Sequence, residues 1–563
     1  MPERRPKDLS ELELGFARQR AVRWLSPRVL VATGTRALLA SIFGSYSDKR
    51  ELQAVLPSIV HRHDTADELW FDFVADVGDG FDATYSVASL LAAPELDVDG
   101  TSLPRGRILV LGGDEVYPVA STRGYEDRTK GPYHAALPEP PVTLPTMFAL
   151  PGNHDWYDGL TAFLRVFTQQ RPIGGWATEQ TRSYFAVGLP QRWWLFGVDA
   201  QLTSYIDAPQ LEYFRQAARQ LRPGDAVLLC WSTPAWAHTD HDPSAYDPID
   251  FFDREIVRPT GASIRVMLSG DSHHYARYAS ADDEQRITCG TGGAYLVATH
   301  RLPESIELPS PKSRMRRQTP TRPFRLRTRY PDKFTSRWLS PGILGLGWRN
   351  PGFVALLGAV QAVFVISLVF AVDYGRRFGG GWSSLQTLRA SLPALLIAVV
   401  IVWGAVGFAR IDPHSPRRTA LVAGLLHGLA QVGLGIGWTA AVLRLHDEHW
   451  LPDTALAVLA AVVTVILIGA VAGLLTGIYL TVVSQFDVNL NEAFAGQSIE
   501  DYKGFLRLHI GRDGALTIHP IKIPRVCHSW RADPDGAPDE PWLRPAEPLR
   551  VELLEEPIRV PRA

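Results

Sequence analysis

Two kinds of hydrophobic pattern divide this chain. Between about residues 70 and 300, short apolar runs stop abruptly in polar side chains: LWFDFVADVGDGFD, RILVLGGDEVY, TMFALPGNHDWYDG, AVLLCWSTPAW and IRVMLSGDSHHYARY. Runs of this length, rich in Val, Ile, Leu and Phe, predict strands. The intervals between them leave room for a helix or further strands, so their ends can line up along one edge of a sheet. Four long, almost uncharged runs follow, at roughly 352–372, 393–410, 419–443 and 454–484. Each approaches or exceeds the ~20 residues that span the hydrocarbon of a bilayer, and they predict four transmembrane helices. Beyond residue 485, DYKGFLRLHIGRDGALTIHPIKI alternates on either side of Gly-Arg-Asp-Gly and predicts a β-hairpin.

These changes of pattern set expected boundaries. An N-terminal helical segment takes residues 1–67, an α/β (α+β) domain 68–305, a basic juxtamembrane linker 306–350, the four transmembrane helices 351–485, and a small β-rich segment 486–563. The last segment either stands alone or docks on the N-terminal domain. The stretch PRVLVATGTRALLASIFG (27–44) is apolar but contains Arg28 and Arg36. It is expected to dock on a core, the alternative being a helix lying in the membrane interface. The charged N-terminus, MPERRPKDLSELELGFARQR, has no apolar stretch of signal-peptide type.

Composition sharpens this only in places. The chain has 563 residues, 46% of them hydrophobic and 21% charged, with a net charge of −2, so whole-chain charge points to no nucleic-acid partner. Its three cysteines, Cys230, Cys289 and Cys527, form no C-x-x-C and are an odd number. They read as reduced thiols, which fits a cytosolic compartment. Residues 311–338 with Arg349 hold eleven Lys and Arg against one acid, Asp332. A basic run can bind nucleic acid, but beside a membrane span it more readily marks the cytoplasmic flank and meets anionic lipid headgroups. The acidic loop RLHDEHWLPD fits the far side, and Arg376 and Arg377 in the first loop weigh against it. On this reading the protein is a multi-pass cell-membrane protein with both termini cytoplasmic and the lipid bilayer as partner. Gly469, Gly473 and Gly477 form a smooth stripe where another helix can approach, including one from a second copy in a homo-oligomer. His427 and Gln431 share a helix face, and inter-helix hydrogen bonding is the expected use of both.

Chemistry is concentrated where the short strands end. Asp76, Asp79 and Asp82 follow the first run, Asp114 and Tyr117 the second, Asn153 and His154 the third, Ser232 the fourth, and Asp271, His273 and His274 the fifth. Alone, G-N-H-D is more often a turn and His-His a solvated surface. Together, carboxylate, amide and imidazole donors in this order suggest a site for a pair of hard cations about 3.5–4 Å apart, able to activate water against phosphorus.

The motifs DVGDG, GGDEVY, GNHD and GDSHHY, in this order, resemble the calcineurin-like metallophosphoesterase superfamily over about residues 68–300. D-x-G at 76–78, G-D-x-x-Y at 113–117 and GTGGAYLV at 290–297 resemble its purple acid phosphatase branch. The resemblance implies a β-sandwich flanked by helices and a hydrolase of phosphate ester or pyrophosphate bonds that uses metal-activated hydroxide. It implies two divalent or trivalent ions (Mn, Fe or Zn), with Fe(III) where Tyr117 is a phenolate ligand. Carried over residue by residue, Asp76, Tyr117 and His273 would bind the first metal, Asp114 would bridge, and Asn153 would bind the second. His154 would be the catalytic general acid or the phosphate-orienting group. Asp271, which stands where the family has a His, would also be a metal ligand, and His274 and Arg277 would either meet substrate phosphate or only line the loop. Ser232 stands where the family supplies another His, with His238 and His241 nearby in sequence. These two departures favour harder metals over Zn²⁺. They also support an alternative, a degenerate phosphoesterase serving as a membrane sensor or scaffold. Asp79 is expected to cap a turn or orient a ligand, and His61 and His63 to lie on the surface. Transport through four spans has little polar lining to support it.

Overall fold

A computed structural model of the chain describes residues 5–43, 53–200, 205–377, 385–412, 415–448 and 453–562. The chain forms two compact units. One comprises Met1–Val22, Ala32–Ser336 and Ile499–Ala563, the other Arg23–Val31 and Arg337–Ser498.

The first unit is built on two mixed sheets. In one, the strands Leu69–Val74, Ile108–Leu111 and Thr146–Ala149 run parallel side by side. Lys503–Ile510 pairs antiparallel with Leu69–Val74 and is followed outward by Leu516–Ile523. The other sheet centres on Trp193–Val198, Ala226–Trp231, Ser263–Ser269 and Gln285–Cys289, all parallel. Alternation explains the layering. Leu69, Phe71 and Phe73 join Phe148, Leu195, Leu228, Leu268 and Leu506 in one apolar layer fed by both sheets. Val74, Leu109 and Leu111 turn outward and pack with Phe81, Tyr85 and Phe163, the last three lying on helices. Phe196, Leu229 and Met267 do the same on the other sheet, against Phe214 and Phe252. The result is a sandwich with helical cover on both outer faces, the fold class expected.

Several boundaries move. Residues 306–350 are not a simple linker: Ser305–Leu308 and Arg322–Tyr330 are antiparallel strands that extend the nine-stranded sheet. Part of the basic run is thereby used inside the fold, since Arg329 pairs with Glu304 at 2.6 Å and Arg322 with Glu284 at 2.8 Å. Nor is the C-terminal segment a separate unit. The expected hairpin forms, but its first strand completes the sheet that carries Asp76, because Leu506, Leu508 and Ile510 supply the inward apolar positions beside Leu69–Val74. Arg507, on the opposite face and fully buried, donates to Asp72 through Nε (2.8 Å) and Nη2 (3.1 Å). His61 and His63 are not open surface. Both approach Glu179 Oε2 at 3.4 Å and set their ring edges against Phe148. Hydrogen bonds from the two imidazoles hold the Glu179 carboxyl well below its usual range. The helix Pro27–Phe43 is also not core-docked: Leu30, Val31, Leu38 and Leu39 are exposed.

The second unit contains four helices long and apolar enough to cross a membrane, Pro351–Arg376, Arg389–Ala409, Arg417–Asp447 and Val458–Phe486. Their few polar groups bond across helices. Gln431 Nε2 donates to the Ala472 carbonyl (3.0 Å), Gln361 Nε2 donates to the Gln431 carbonyl (2.9 Å), and the His427 ring stacks on Tyr479 at 4.4 Å. The glycine stripe is used within the chain. A methyl group at Gly469 would meet Gly358 and the Val354 carbonyl, one at Gly473 would meet Val354, and one at Gly477 would meet Ile343. The absence of Cβ atoms is what lets these helix backbones approach. Residues 378–384 and 449–452, parts of the loops whose charges bear on orientation, lie outside the described residues.

Candidate metal centre

Three of the short strands end the same way. Asp76, Asp114 and Asp271 follow their strands with φ of 61°, 55° and 66°, the left-handed region that Asp tolerates better than most side chains. The chain reverses sharply there and leaves each carboxylate at the strand end. Such conformations concentrate at functional sites. Asn153 and His154 open a single helical turn after Gly152, whose N–H is held by Asp155 Oδ2 at 2.7 Å. Gly152 has a steric reason to be glycine, because a Cβ there would collide with the Asp114 carboxylate.

The side chains meet at the Tyr117 hydroxyl. It lies 2.8 Å from Asp76 Oδ1, 3.2 Å from Asp114 Oδ2 and 2.9 Å from His273 Nε2, all buried. His273 Nδ1 faces the Tyr295 carbonyl at 2.9 Å. A carbonyl only accepts, so Nδ1 carries the hydrogen and Nε2 turns a lone pair to Tyr117. Burial holds this imidazole well below its ordinary pKa, hence neutral. Around one point, therefore, two carboxyl groups, a phenol oxygen and an imidazole lone pair converge. Burial first, and neighbouring carboxylates second, push Asp76 and Asp114 well above the usual carboxylate range, and burial with both aspartates raises Tyr117. Each shift has the same cause, negative charge gathered out of water without a countercharge. Asn153 Oδ1 is buried with no hydrogen-bond partner.

Backbone donors steady the cluster. The Asp271 N–H donates to both Asp76 oxygens (2.9 and 3.2 Å), and the His154 N–H donates to Asp114 Oδ1 (2.9 Å). The His154 ring lies 4.5 Å from that of Tyr117, and its Nδ1 faces the Pro118 carbonyl at 2.7 Å, so Nδ1 carries the hydrogen and Nε2 the lone pair. Burial lowers its pKa to about 4. Beneath these groups lies a buried network that the sequence reading did not foresee: Asp155 accepts from the Tyr125 hydroxyl and from the Glu115 N–H. Only the placement of Asp155 directly after Asn153 and His154 hinted at it. Lys503, from the C-terminal strand, is also fully buried. Burial lowers its ammonium to about 8 against the pull of Glu500, Asp501, Asp79 and Asp76.

Other expected residues fall elsewhere. Arg277 is not directed at phosphate: its Nε and Nη2 bind Glu555 at 2.9 and 2.5 Å, so its charge is already met. His274 is buried, its Nδ1 has no hydrogen-bond partner, and burial with nearby His238 and Arg329 lowers it to about 3. It is a neutral group here. Ser232 does stand at the strand-end edge, its carbonyl accepting from Gly270 N at 3.2 Å, whereas His238 acts on His274. Asp79 caps the N-terminal segment, Oδ1 accepting from Val22 N at 2.7 Å.

The donor set fits hard cations: buried carboxyl and phenol oxygens converge, one imidazole lone pair faces them, and an orphaned amide oxygen lies on the adjoining turn. Among the described residues, no three His, Cys, Asp or Glu side chains already stand at ligand spacing; Asp76, Asp114 and His273 meet through Tyr117.

Comparison with known proteins adds little to this. The likeness to solved structures is distant. No known protein family and no curated protein matches the sequence. GAP50, the anchor in the inner membrane complex of Plasmodium, is 13% identical, with 48% of this chain covering 92% of that one at a TM-score of 0.31. A structure of PhoD is 11% identical, covering 42% of this chain and 59% of that one at 0.26. Purple acid phosphatase PPD1 from yellow lupin (Lupinus luteus) seeds is 12% identical, covering 43% and 46% at 0.26. The similarity spans about half of this chain, and at these scores the chemistry rests on the residues themselves.

Proposed function

We propose that this chain is a membrane-anchored, metal-dependent phosphoesterase that hydrolyses phosphate ester or pyrophosphate bonds. The observation that carries the reading is the Tyr117 cluster, in which buried carboxyl oxygens from two strand ends and an imidazole lone pair from a third converge on one phenol oxygen, a donor set suited to a cation. Asp76, Tyr117 and His273 would hold one ion, Asp114 would reach both, and Asn153 would offer its amide oxygen to the second, with Asp271 beside Asp76. Bound there, two cations would supply Lewis acidity and the positive charge that phosphoryl transfer needs. The protein's own part is positional. The Asp271 and His154 N–H groups fix the carboxyl groups of Asp76 and Asp114 respectively. The Pro118 carbonyl sets the His154 tautomer, so that Nε2 is presented to accept a hydrogen bond or proton from substrate or water. Burial of the cluster excludes bulk water and strengthens every charge interaction within it. On this reading the bound metals are Mn, Fe or Zn, and the catalytic unit faces the cytosol, the side on which Arg337, Arg349, Arg410, Arg417 and Arg418 flank the long helices.

A second reading has two observations in its favour. Ser232 and Asp271 each stand where an imidazole is expected, which suits a degenerate phosphoesterase acting as a membrane sensor or scaffold. Hydrolysis of an aryl phosphate and its diester by the purified full-length chain with Mn²⁺, beside Asp114→Ala, separates the two. Metal-dependent turnover lost in the variant supports the enzyme. Equal rates in both would support the scaffold.

A further inference from the structure

The glycine-rich loop 290–295 is buried throughout and lies against two of the residues that meet at Tyr117. The Gly292 N–H donates to the Ala75 carbonyl at 2.9 Å and the Ala294 N–H to the Asp76 carbonyl at 2.8 Å. Both peptide groups that flank Asp76 are thereby held where its φ is 61°. Gly290 packs so closely on the Asp76 carboxyl that a Cβ there would strike Oδ2. The Tyr295 carbonyl faces His273 Nδ1 at 2.9 Å and so sets which nitrogen turns to Tyr117. One loop therefore governs the orientation of both Asp76 and His273.

The loop has no helix or strand of its own, so its shape depends on what grips it from outside. That grip comes from the C-terminal segment, 213 positions further along the chain. The Gly504 N–H donates to the Thr291 carbonyl at 3.0 Å, and Thr291 Oγ1 donates back to the Gly504 carbonyl at 2.9 Å. The Leu296 N–H donates to the Ile499 carbonyl at 3.0 Å. Gly504 belongs to Lys503–Ile510, the strand paired with Leu69–Val74, whose end carries Asp76. Of these contacts the hydroxyl bond alone is set by residue type; the others are main-chain bonds. We propose that Thr291 is a positioning residue of the metal centre, its hydroxyl clamping the 290–295 loop to Gly504 in the shape that presents Asp76 and His273 to the first ion. This rests on the reading of the centre as a cation site. Partners behind the ligands set ligand orientation, and losing one typically weakens metal binding about 10–100-fold.

The test compares the full-length parent in detergent with Thr291→Val and Thr291→Ser. Valine keeps the shape of threonine but turns a methyl to the buried Gly504 carbonyl, which loses that donor. Serine keeps the hydroxyl. Amide hydrogen exchange of the metal-free proteins reads the clamp, and calorimetry with Mn²⁺ reads the centre. Thr291→Val should exchange several times faster over residues 290–297, with parental exchange over the strand Trp193–Val198. It should bind Mn²⁺ about 10–100-fold more weakly, and Thr291→Ser should restore both readings. Thr291→Ala takes the place of the valine variant if that chain does not fold. Parental loop exchange in the valine variant would overturn the proposal. So would faster loop exchange with parental Mn²⁺ affinity, or a serine variant that restores neither. A parent that binds no Mn²⁺ would instead refute the cation reading, and the role of Thr291 with it, while the exchange measurement still reports whether the clamp exists.

Discussion

Replacing Arg507 with methionine isolates what the C-terminal strand does for the sheet that carries the candidate site. Arg507 is fully buried; it donates twice to Asp72 and, through Nη1, to the Leu103 carbonyl at 3.0 Å. Methionine keeps much of the stem's volume but leaves the Asp72 carboxylate, 2% exposed, without a countercharge. Breaking a buried pair from one side costs about 3–5 kcal/mol. The loss depends on pH, and its sign follows from Asp72. Burial already holds the Asp72 pKa above the ordinary carboxylate value, against the pull of Arg507. The folded state therefore binds this proton more readily than the unfolded state. Stability from the group is greatest below its unfolded pKa and falls as pH rises through the folded one. Deleting Arg507 lifts the folded pKa further, so the variant should stand closer to the parent at about pH 5 than at about pH 8. Asp72→Leu with Arg507→Met removes both charges and should recover most of the loss. Pulse proteolysis of the full chain in detergent across a urea series reads each stability. An Arg507→Met protein within about 1 kcal/mol of the parent at the higher pH, or a double variant weaker than the single, would refute the reasoning.

Three further outcomes follow from the site. Tyr117→Phe removes the hydroxyl shared by Asp76, Asp114 and His273. It should lower bound metal and, if the parent is coloured by a ferric phenolate, abolish the visible absorption band, as spectrophotometry would show. Gly152→Ala drives a methyl into Asp114. It should weaken metal binding by about 10–100-fold in calorimetry, with the long helices unaffected. His154→Gln should lower turnover by about 10²–10⁴-fold while metal content stays at the parental level, separating a role toward substrate from one toward metal.

Much of the site was legible because its signals are local. Asp76, Asp114 and Asn153 follow apolar strands that are parallel neighbours in one sheet, so their ends share an edge, whereas His273 follows Ser263–Ser269 of the other sheet and meets them at Tyr117. The Gly511–Gly514 turn was legible for the same reason. What escaped notice depends on long-range partners. Arg277 looked like a free cation beside the last motif, yet Glu555 claims it from 278 residues away. Lys503 and Arg507 read as polar positions of an alternating hairpin, and only their strand's pairing with Leu69–Val74 buries them. The basic stretch before the first long helix suggested a linker because charge density masked the period-two alternation of Arg322–Tyr330, which binds it to the sheet. The glycine stripe was correctly a helix-contact surface, but composition carries no mark of whether the partner helix belongs to the same chain. The exposed face of Pro27–Phe43 was misjudged for a related reason: two arginines in an apolar run fit a core helix and a boundary helix equally well.

The central claim is that residues from separate strand ends hold metal together. Elemental analysis of the purified full-length chain after loading with Mn²⁺ and desalting, run beside Asp114→Ala, tests it most directly. The account predicts about two ions per parental chain and a clear loss in the variant, because the proposed centre relies on Asp114 to reach both. A parent that retains no stoichiometric metal, or a variant that retains as much as the parent, would contradict it.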